Sequence, residues 1–246
     1  MASGAEDYYL HAGEAPGFWL GAASRDLGLM GVVEPEALRA VLAASDPFSG
    51  EALGPSPARK VPGFDLTFRA PKSVSVLWGL GGADVAEEVR RAHDAAVLAA
   101  LRYLESEAAW SRRGAQGRES VPVRGFVAAA FRHRTSRAGD PLLHTHVVVS
   151  NLGKAVNDGR WRTLDARPLY QHAKTAGYLY QAHLRHELTR RLGVGWGPVV
   201  NGCADLAGIP TPVVRMFSRR RREIEQQLAE RGAASAKAAQ TATLTT

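Results

Sequence analysis

Apolar residues recur at helical spacing in two long stretches of the chain. From residue 85 to residue 110 they follow steps of three and four, which is the period of a helix with one buried face. The same period returns from residue 167 to residue 192, and Gly193 follows it, a residue type that commonly ends a helix. We therefore predict two long helices, and a further helix over residues 217–231.

Alternation of apolar and polar residues predicts three strands. In the stretch Phe-Asp-Leu-Thr-Phe-Arg the apolar residues are predicted to face a core, so that Asp65, Thr67 and Arg69 share the other face. Residues 125–133 and 144–151 are predicted to be strands joined by a polar turn, and a short connection favours an antiparallel pair. The predicted fold class is α+β, with a mainly antiparallel central sheet flanked by long helices.

Two segments are predicted to lack a packed element. Residues 111–122 are rich in Gly, Arg and Ser, and we expect them to form a mobile loop. Residues 232–246 are rich in Ala and Thr without an apolar stripe, which is typical of a linker. We expect one domain over residues 1–231, followed by this linker.

Composition places the chain among globular proteins with a sizeable core, since 45% of its 246 residues are hydrophobic. No apolar run approaches the roughly 18 residues of a membrane helix, and the first residues lack the layout of a signal peptide, so we expect a cytoplasmic protein without membrane insertion. The single cysteine, Cys203, excludes an internal disulfide and a cysteine-based zinc site. A metal ion would therefore need His, Asp or Glu ligands.

Positive charge exceeds negative charge by seven, which favours a polyanionic partner. Basic residues crowd two segments of the chain, and such groups grip a nucleic-acid backbone. The candidate DNA contacts are Lys72, Arg112, Arg113, Arg134, Arg137, Arg219, Arg220, Arg221 and Arg222. For Lys72 a role in a strand-to-helix turn is an equally good interpretation.

The strongest chemical signal is His144-Thr145-His146 on a Val-rich predicted strand. A period of two projects both imidazoles from one face, where they can share one ion. His133 ends the preceding strand and can lie across the hairpin from them, which would leave positions open for water or substrate oxygens. The alternative is that these histidines only satisfy backbone groups in a sheet. Asp65 is placed to orient a ligand histidine or accept a proton, and the alternative is a salt bridge with an arginine.

Other catalytic motifs are absent or ambiguous. The sequence contains no phosphate-binding Gly-x-x-x-x-Gly-Lys-Ser/Thr loop and no Gly-x-Ser-x-Gly elbow. A pair of tyrosines, Tyr8-Tyr9, stands near the start, and such a pair in isolation is normally a packing element.

Taken together and in order, these segments resemble the relaxase domain of MobF-class (TrwC/TraI-like) conjugative relaxases, within the HUH endonuclease superfamily. The resemblance covers nearly the whole chain. It rests on Asp7-Tyr8-Tyr9, Trp19-Leu20-Gly21, Leu27-Gly28-Leu29-Met30-Gly31, the run from Gly63 to Ser75, Phe131-Arg132-His133, Leu143-His144-Thr145-His146, Asp158-Gly159-Arg160-Trp161 and Phe217-Ser218-Arg219-Arg220-Arg221.

The resemblance implies a single-strand DNA nickase that acts at a transfer origin. A tyrosine would attack the scissile phosphate, leaving a 5′-phosphotyrosine link and a free 3′-hydroxyl, and a divalent cation would assist, Mg²⁺ or Mn²⁺ first and Zn²⁺ or Ni²⁺ as alternatives. By matching position Tyr8 is the nucleophile, with Tyr9 as a second candidate because many family members carry two tyrosine pairs. The implied metal ligands are His133, His144 and His146, and Asp65 assists.

The resemblance also implies partners and a larger context. Single-stranded DNA and an origin hairpin are the expected ligands, with relaxosome accessory proteins, a type IV secretion coupling protein and a downstream helicase region beyond the linker. The alternatives are a rolling-circle replication initiator and a module that binds a single strand or hairpin without cleaving it. A generic three-histidine metallohydrolase is disfavoured, because no carboxylate is obviously placed to activate water.

Overall fold

The computed structural model of the protein describes residues 15–54 and 61–230. Its strands are β1 (Phe18–Leu20), β2 (Gly63–Arg69), β3 (Trp110–Arg113), β4 (Glu119–Pro122), β5 (Ala128–Thr135), β6 (Pro141–Ser150), β7 (Gly153–Lys154) and β8 (Trp161–Arg162). Its α-helices are α1 (Pro35–Leu42), α2 (Lys72–Leu80), α3 (Ala83–Ala108), α4 (Ala166–Leu192), α5 (Thr211–Met216) and α6 (Arg219–Glu230).

The central sheet contains four strands in the order β1-β5-β6-β2, and every neighbouring pair is antiparallel. The predicted α+β class with a mainly antiparallel sheet is therefore confirmed. Strand β6 lies in the middle of the sheet and is buried along most of its length. Its Val-rich sequence fits a strand that is covered on both faces.

The long helices α3 and α4 cover one face of the sheet. They run antiparallel, since the Glu88 carboxylate near the start of α3 meets Arg191 near the end of α4 at 2.9 Å, whereas the Tyr103 hydroxyl lies 2.7 Å from His172 Nδ1. The core below them includes Val147 of β6. The predicted long helices are confirmed at both positions, and Gly193 ends α4 with a φ of 65°.

A second core covers the other face of the sheet. Residues Trp19, Leu38 and Val41 pack there with Phe131 of β5 and Val148 of β6. The sheet thus separates two apolar layers, and alternate residues of each central strand enter different layers.

The expectation of a mobile loop over residues 111–122 is wrong. This segment forms the antiparallel hairpin β3–β4, in which Arg113 pairs with Glu119 at 2.5 Å. The Ser111 hydroxyl is buried and donates to the Thr163 carbonyl at 2.7 Å, which joins the hairpin to the fold. Gly114 and Gly117 adopt positive φ values in the turn, so the glycines of this segment allow the chain to reverse direction.

The strand predicted over residues 125–133 has different bounds, because β5 begins at Ala128 and reaches Thr135. Phe126 donates its amide to the Glu105 carboxylate at 2.8 Å instead of to a neighbouring strand. Gly125 has a φ of 131°, and a β-carbon there would approach Glu105 Oε1 to 2.6 Å. A side chain of α3 therefore holds this segment outside the sheet.

Several expectations concern residues outside the described ranges. They include the tyrosine pair Tyr8-Tyr9 and the predicted linker over residues 232–246. Among the helices of the described residues, none is both long enough and apolar enough to cross a bilayer.

Candidate metal centre

Three imidazoles meet on one face of the central sheet, as the sequence predicts. His133 pairs across the hairpin with His144, and His146 lies two residues further along β6 on the same face. The three ring centroids are 5.1–5.2 Å apart, and each histidine is buried. One potential ligand nitrogen from each residue lies within 4.8 Å of the other two. The sheet register therefore builds a three-nitrogen set.

Hydrogen bonds to the Nδ1 atoms decide which nitrogen faces an ion. His144 Nδ1 lies 2.8 Å from the Leu142 carbonyl, and His146 Nδ1 lies 2.8 Å from Asp65 Oδ2. A carbonyl and an ionised carboxylate only accept hydrogen bonds, so both Nδ1 atoms donate. In the neutral rings the lone pair then resides on Nε2, the form in which histidine binds a metal.

Strand β2 supplies the groups around His146. Asp65 contacts His146 Nδ1 through both carboxylate oxygens, at 2.9 and 2.8 Å. The Thr67 hydroxyl lies 3.2 Å from the same nitrogen and donates to Asp65 at 3.4 Å. The antiparallel register opposes Thr67 to His146, which explains why both side chains of β2 reach this ring.

The pKa of His144 is lowered to about 4, mainly by burial and in smaller part by the neighbouring imidazoles and the Arg69 guanidinium, while the hydrogen bond to Leu142 opposes this shift. His144 is consequently neutral at physiological pH. A neutral imidazole needs no proton release before it binds a cation, so the site is prepared for an ion.

The donor set fits a divalent metal ion. Three imidazoles from adjacent strands form a facial set, and this leaves coordination positions for water or phosphate oxygens. Asp65 adds the carboxylate–histidine contact that commonly orients a metal ligand.

A polar chain crosses the helix-side core directly behind the site. Thr145 points away from the histidines that flank it, and its hydroxyl lies 2.7 Å from His93 Nε2. His93 Nδ1 lies 2.7 Å from the Tyr180 hydroxyl on α4. The pKa of His93 is lowered to about 3, mainly by burial and in smaller part by the Arg132 charge. A neutral His93 therefore links both long helices to the strand that bears two of the histidines.

The structure places the predicted DNA contacts in separate groups. In the β3–β4 hairpin, Arg113 pairs with Glu119, while Arg112 is joined to Asp165 at 2.9 Å. Arg134 and Arg137 are exposed at the tip of the β5–β6 hairpin, close in sequence to His133.

A further group of predicted DNA contacts, the arginines at positions 219–222, lies at the start of α6. Arg219 donates from its backbone N–H and its guanidinium to the buried carboxylate of Asp140, at 2.7 and 2.9 Å. Arg221 pairs with Glu225 at 2.6 Å, Arg222 donates to the Met216 carbonyl at 3.4 Å, and Arg220 is half-buried.

Lys72 begins α2, and its ammonium group donates to the Pro141 carbonyl at 2.8 Å. Burial lowers the pKa of Lys72. The interpretation of Lys72 as part of a strand-to-helix turn accounts for this contact, and a DNA contact from Lys72 stays a prediction.

Two features of the site were not predicted from the sequence. The sequence pattern puts Thr67 on the polar face of its strand but indicates no role for it. The strand register brings its hydroxyl to His146 and Asp65. His93 was not singled out, yet it stands among the apolar positions Val89, Ala92 and Ala96 of a helix face. A histidine at such a position is a signal for a buried polar contact.

The sequence model of the TrwC relaxase family matches residues 1–246. The multifunctional conjugation protein TraI of Escherichia coli is 31% identical over 236 residues, which are 92% of this chain and 13% of TraI. The chain thus spans about an eighth of the length of that relative.

Solved structures show the same architecture. The metal-bound conjugative relaxase TrwC in complex with oriT DNA has a TM-score of 0.85 and 34% identity, over 97% of this chain and 84% of that one. TrwC complexed with a 27-mer DNA that comprises the recognition hairpin and the cleavage site has a TM-score of 0.84 and 34% identity, over 98% and 84%.

Proposed function

Since this chain belongs to the TrwC relaxase family, we propose that it nicks and rejoins single-stranded DNA at a transfer origin by metal-assisted tyrosine transesterification. The observation that carries the proposal is the convergence of His133, His144 and His146 on one face of the sheet. TrwC, with the same architecture, is described in complex with oriT DNA and metal.

The reaction exchanges one phosphodiester for another. The hydroxyl oxygen of Tyr8, or of Tyr9, forms a bond to the scissile phosphorus while the bond from phosphorus to the 3′ oxygen breaks. The tyrosine becomes linked to the 5′ end, the other end leaves as a free 3′-hydroxyl, and the reverse reaction rejoins the strand. No nucleotide hydrolysis is required, which agrees with the absence of a phosphate-binding loop from the sequence.

His133, His144 and His146 would hold the cation, with Nε2 available on His144 and His146 because their Nδ1 atoms donate hydrogen bonds. When bound, the ion polarises phosphate oxygens and offsets the charge that develops on them. Asp65 keeps His146 in the tautomer that leaves Nε2 available, and we propose its partly exposed carboxylate as the group that receives the tyrosine proton.

The donor set refines the expected metal. Imidazole nitrogen is a good ligand for Zn²⁺ and Ni²⁺ and a weaker one for Mn²⁺. Mg²⁺ binds imidazole least well of the four ions, because it prefers oxygen ligands. We therefore place Mn²⁺, Zn²⁺ and Ni²⁺ ahead of Mg²⁺ as occupants.

Arginines supply the grip on DNA in this proposal. We assign Arg112 and Arg113 of the β3–β4 hairpin to a folded origin hairpin, and Arg134, Arg137 and the arginines of α6 to the single strand, because each can neutralise a backbone phosphate. Action on transferred DNA in the bacterial cytoplasm, with relaxosome accessory proteins and a secretion coupling protein, is part of the same proposal.

The nucleophile is tested with tyrosine variants. Single-stranded oligonucleotides tiled over the DNA that flanks the gene for this chain identify the cleaved sequence, and a denaturing gel then detects the covalent adduct. We expect Tyr8→Phe to lose the adduct while DNA affinity is retained, and Tyr9→Phe to keep most of it, because only the attacking hydroxyl is essential. The converse pattern would assign the nucleophile to Tyr9.

Binding without an adduct for every tile, with Mn²⁺, Zn²⁺, Ni²⁺ and Mg²⁺ each supplied in turn, would identify the chain as a binding module and refute the proposed reaction. Removal of the metal by a chelator, or His146→Ala, should abolish the adduct while most single-strand binding remains, because the arginines provide most of the affinity. Undiminished cleavage in a metal-stripped sample would exclude the metal role.

A further inference from the structure

Arg69 is the last residue of β2 and lies at the edge of the candidate metal centre. It is paired in register with His144, and strand alternation places it on the same face as Asp65 and Thr67. The side chain is exposed, while Phe68 before it and Ala70 after it are buried. Arg69 therefore presents a cation on the face where the three imidazoles meet.

The described part of the chain provides no ion pair for the Arg69 guanidinium, and the carboxylates in its neighbourhood have other partners. Asp65 is engaged with His146, and Asp140 accepts from Arg219. An exposed guanidinium beside the three imidazoles is suited to an anionic ligand.

We propose that Arg69 is a further catalytic residue, which binds the non-bridging oxygens of the scissile phosphate. This inference rests on the proposed function, because it assigns Arg69 a place at the phosphate that the tyrosine attacks. The phosphate gains negative charge as the tyrosine–phosphorus bond forms and the 3′ oxygen begins to leave. A planar guanidinium donates two parallel hydrogen bonds to such oxygens and transfers no proton, so it stabilises the attacked state more than the resting one.

Three variants test the proposal on the oligonucleotide that the parent protein cleaves. Arg69→Gln should lower the single-turnover rate of adduct formation at saturating DNA by about 100- to 1,000-fold, in line with the loss of one preorganised donor. Arg69→Lys should recover part of the rate, because it keeps the charge but loses the bidentate geometry. Arg102→Gln, which removes another exposed arginine from α3, is the matched control and should leave the rate unchanged.

A binding cycle locates the contact. The same oligonucleotide is prepared with one neutral methylphosphonate, either at the scissile position or three nucleotides away. Its Kd is measured for parent and Arg69→Gln in the presence of a chelator, so that no ion binds the scissile phosphate and no strand is cut. We expect the scissile methylphosphonate to weaken binding to the parent by several-fold and to leave binding to Arg69→Gln almost unchanged, because the contact is already lost. The distant methylphosphonate should weaken both proteins equally.

The Mn²⁺ affinity and the thermal midpoint of Arg69→Gln serve as checks that the metal site and the fold are intact. An unchanged rate in Arg69→Gln, or equal penalties from the scissile methylphosphonate in both proteins, would overturn the role of Arg69 and leave the proposed function standing. A parent protein that forms no adduct with any tile would overturn both.

Discussion

At the scale of single residues, His93 shows how a titratable group is kept neutral inside a core. Its two nitrogens are engaged by Thr145 and Tyr180, and burial lowers its pKa to about 3, against about 6.5 in the unfolded chain. As the pH falls below about 6.5, His93 becomes protonated in the unfolded chain but stays neutral in the folded protein. His93 therefore contributes stability that is present above pH 6.5 and is lost progressively down to about pH 3.

We predict that His93→Gln flattens the acid dependence of stability. The parent should lose up to about 1.4 kcal/mol of unfolding free energy per pH unit from this one group between pH 6 and pH 4. Urea unfolding at pH 7.5, 6, 5 and 4 measures both proteins, and the variant should be less stable than the parent at pH 7.5 but lose less on acidification. Parallel pH curves would show that His93 is not the responsible group.

Asp65 gives a second prediction at this scale. Because its carboxylate orients His146, Asp65→Ala should weaken Mn²⁺ or Zn²⁺ binding by about 10- to 100-fold without unfolding the protein. Calorimetric titration with the metal measures these affinities. Asp158→Ala, which removes a carboxylate that pairs with Arg162 away from the site, is the control. Equal metal affinities for parent and Asp65→Ala would show that the contact with His146 does not support metal binding.

The sequence was sufficient to predict the convergence of the histidines, because strand alternation and a short hairpin leave few arrangements for His133, His144 and His146. It was insufficient for the contact between His93 and Thr145. That contact joins residues 52 positions apart across a helix–sheet interface, and no local period encodes it. Arg69 was correctly assigned a face, but its proximity to His144 depends on the register of β2 against β6.

At the scale of secondary-structure elements, the attachment of α6 depends on one buried carboxylate. Asp140 lies in the turn between β5 and β6 and accepts from both the backbone and the side chain of Arg219. The start of α6 is thus fixed to the hairpin that carries the histidines. The field of a helix N-terminus adds to the attraction for a carboxylate.

We predict that Asp140→Asn increases amide hydrogen exchange in the first turns of α6 and lowers the free energy of unfolding by about 1–3 kcal/mol, the usual effect of breaking buried charge-assisted hydrogen bonds. Glu225→Gln breaks the exposed pair with Arg221 and should change stability by less than about 1 kcal/mol. The same exchange pattern in both variants would contradict an anchor at Asp140.

The long helices and the β5–β6 pair were predictable, since their periods extend over many residues. The β3–β4 hairpin was not, because Gly, Arg and Ser are common both in mobile loops and in exposed two-stranded ribbons. Its order comes from the Ser111 contact with Thr163 and from the pairing of Arg113 with Glu119, which only the folded chain provides.

At the scale of the whole molecule, the surplus of seven positive charges should appear as salt-dependent DNA binding. Each phosphate contact on a single strand contributes about −0.7 to the slope of log K against log salt concentration. Changing Arg220, Arg221 and Arg222 together to Ala, with Arg219 kept as the anchor of α6, should make the slope shallower by about 2. Fluorescence anisotropy between 50 and 300 mM salt measures it, and an unchanged slope would show that these residues form only a solvated helix surface.

The two apolar layers that the sheet separates also bear on how this architecture changes over evolution. The apolar layer below α3 and α4 packs against the face of the sheet opposite the three histidines. This layer of the core therefore contains none of the three histidine side chains. Under the proposed function, one substitution in the histidine set would therefore abolish cleavage while binding to single-stranded DNA persists. A lineage built on this plan can give rise to inactive descendants that still occupy the same DNA, and these would act as competitors of the active form.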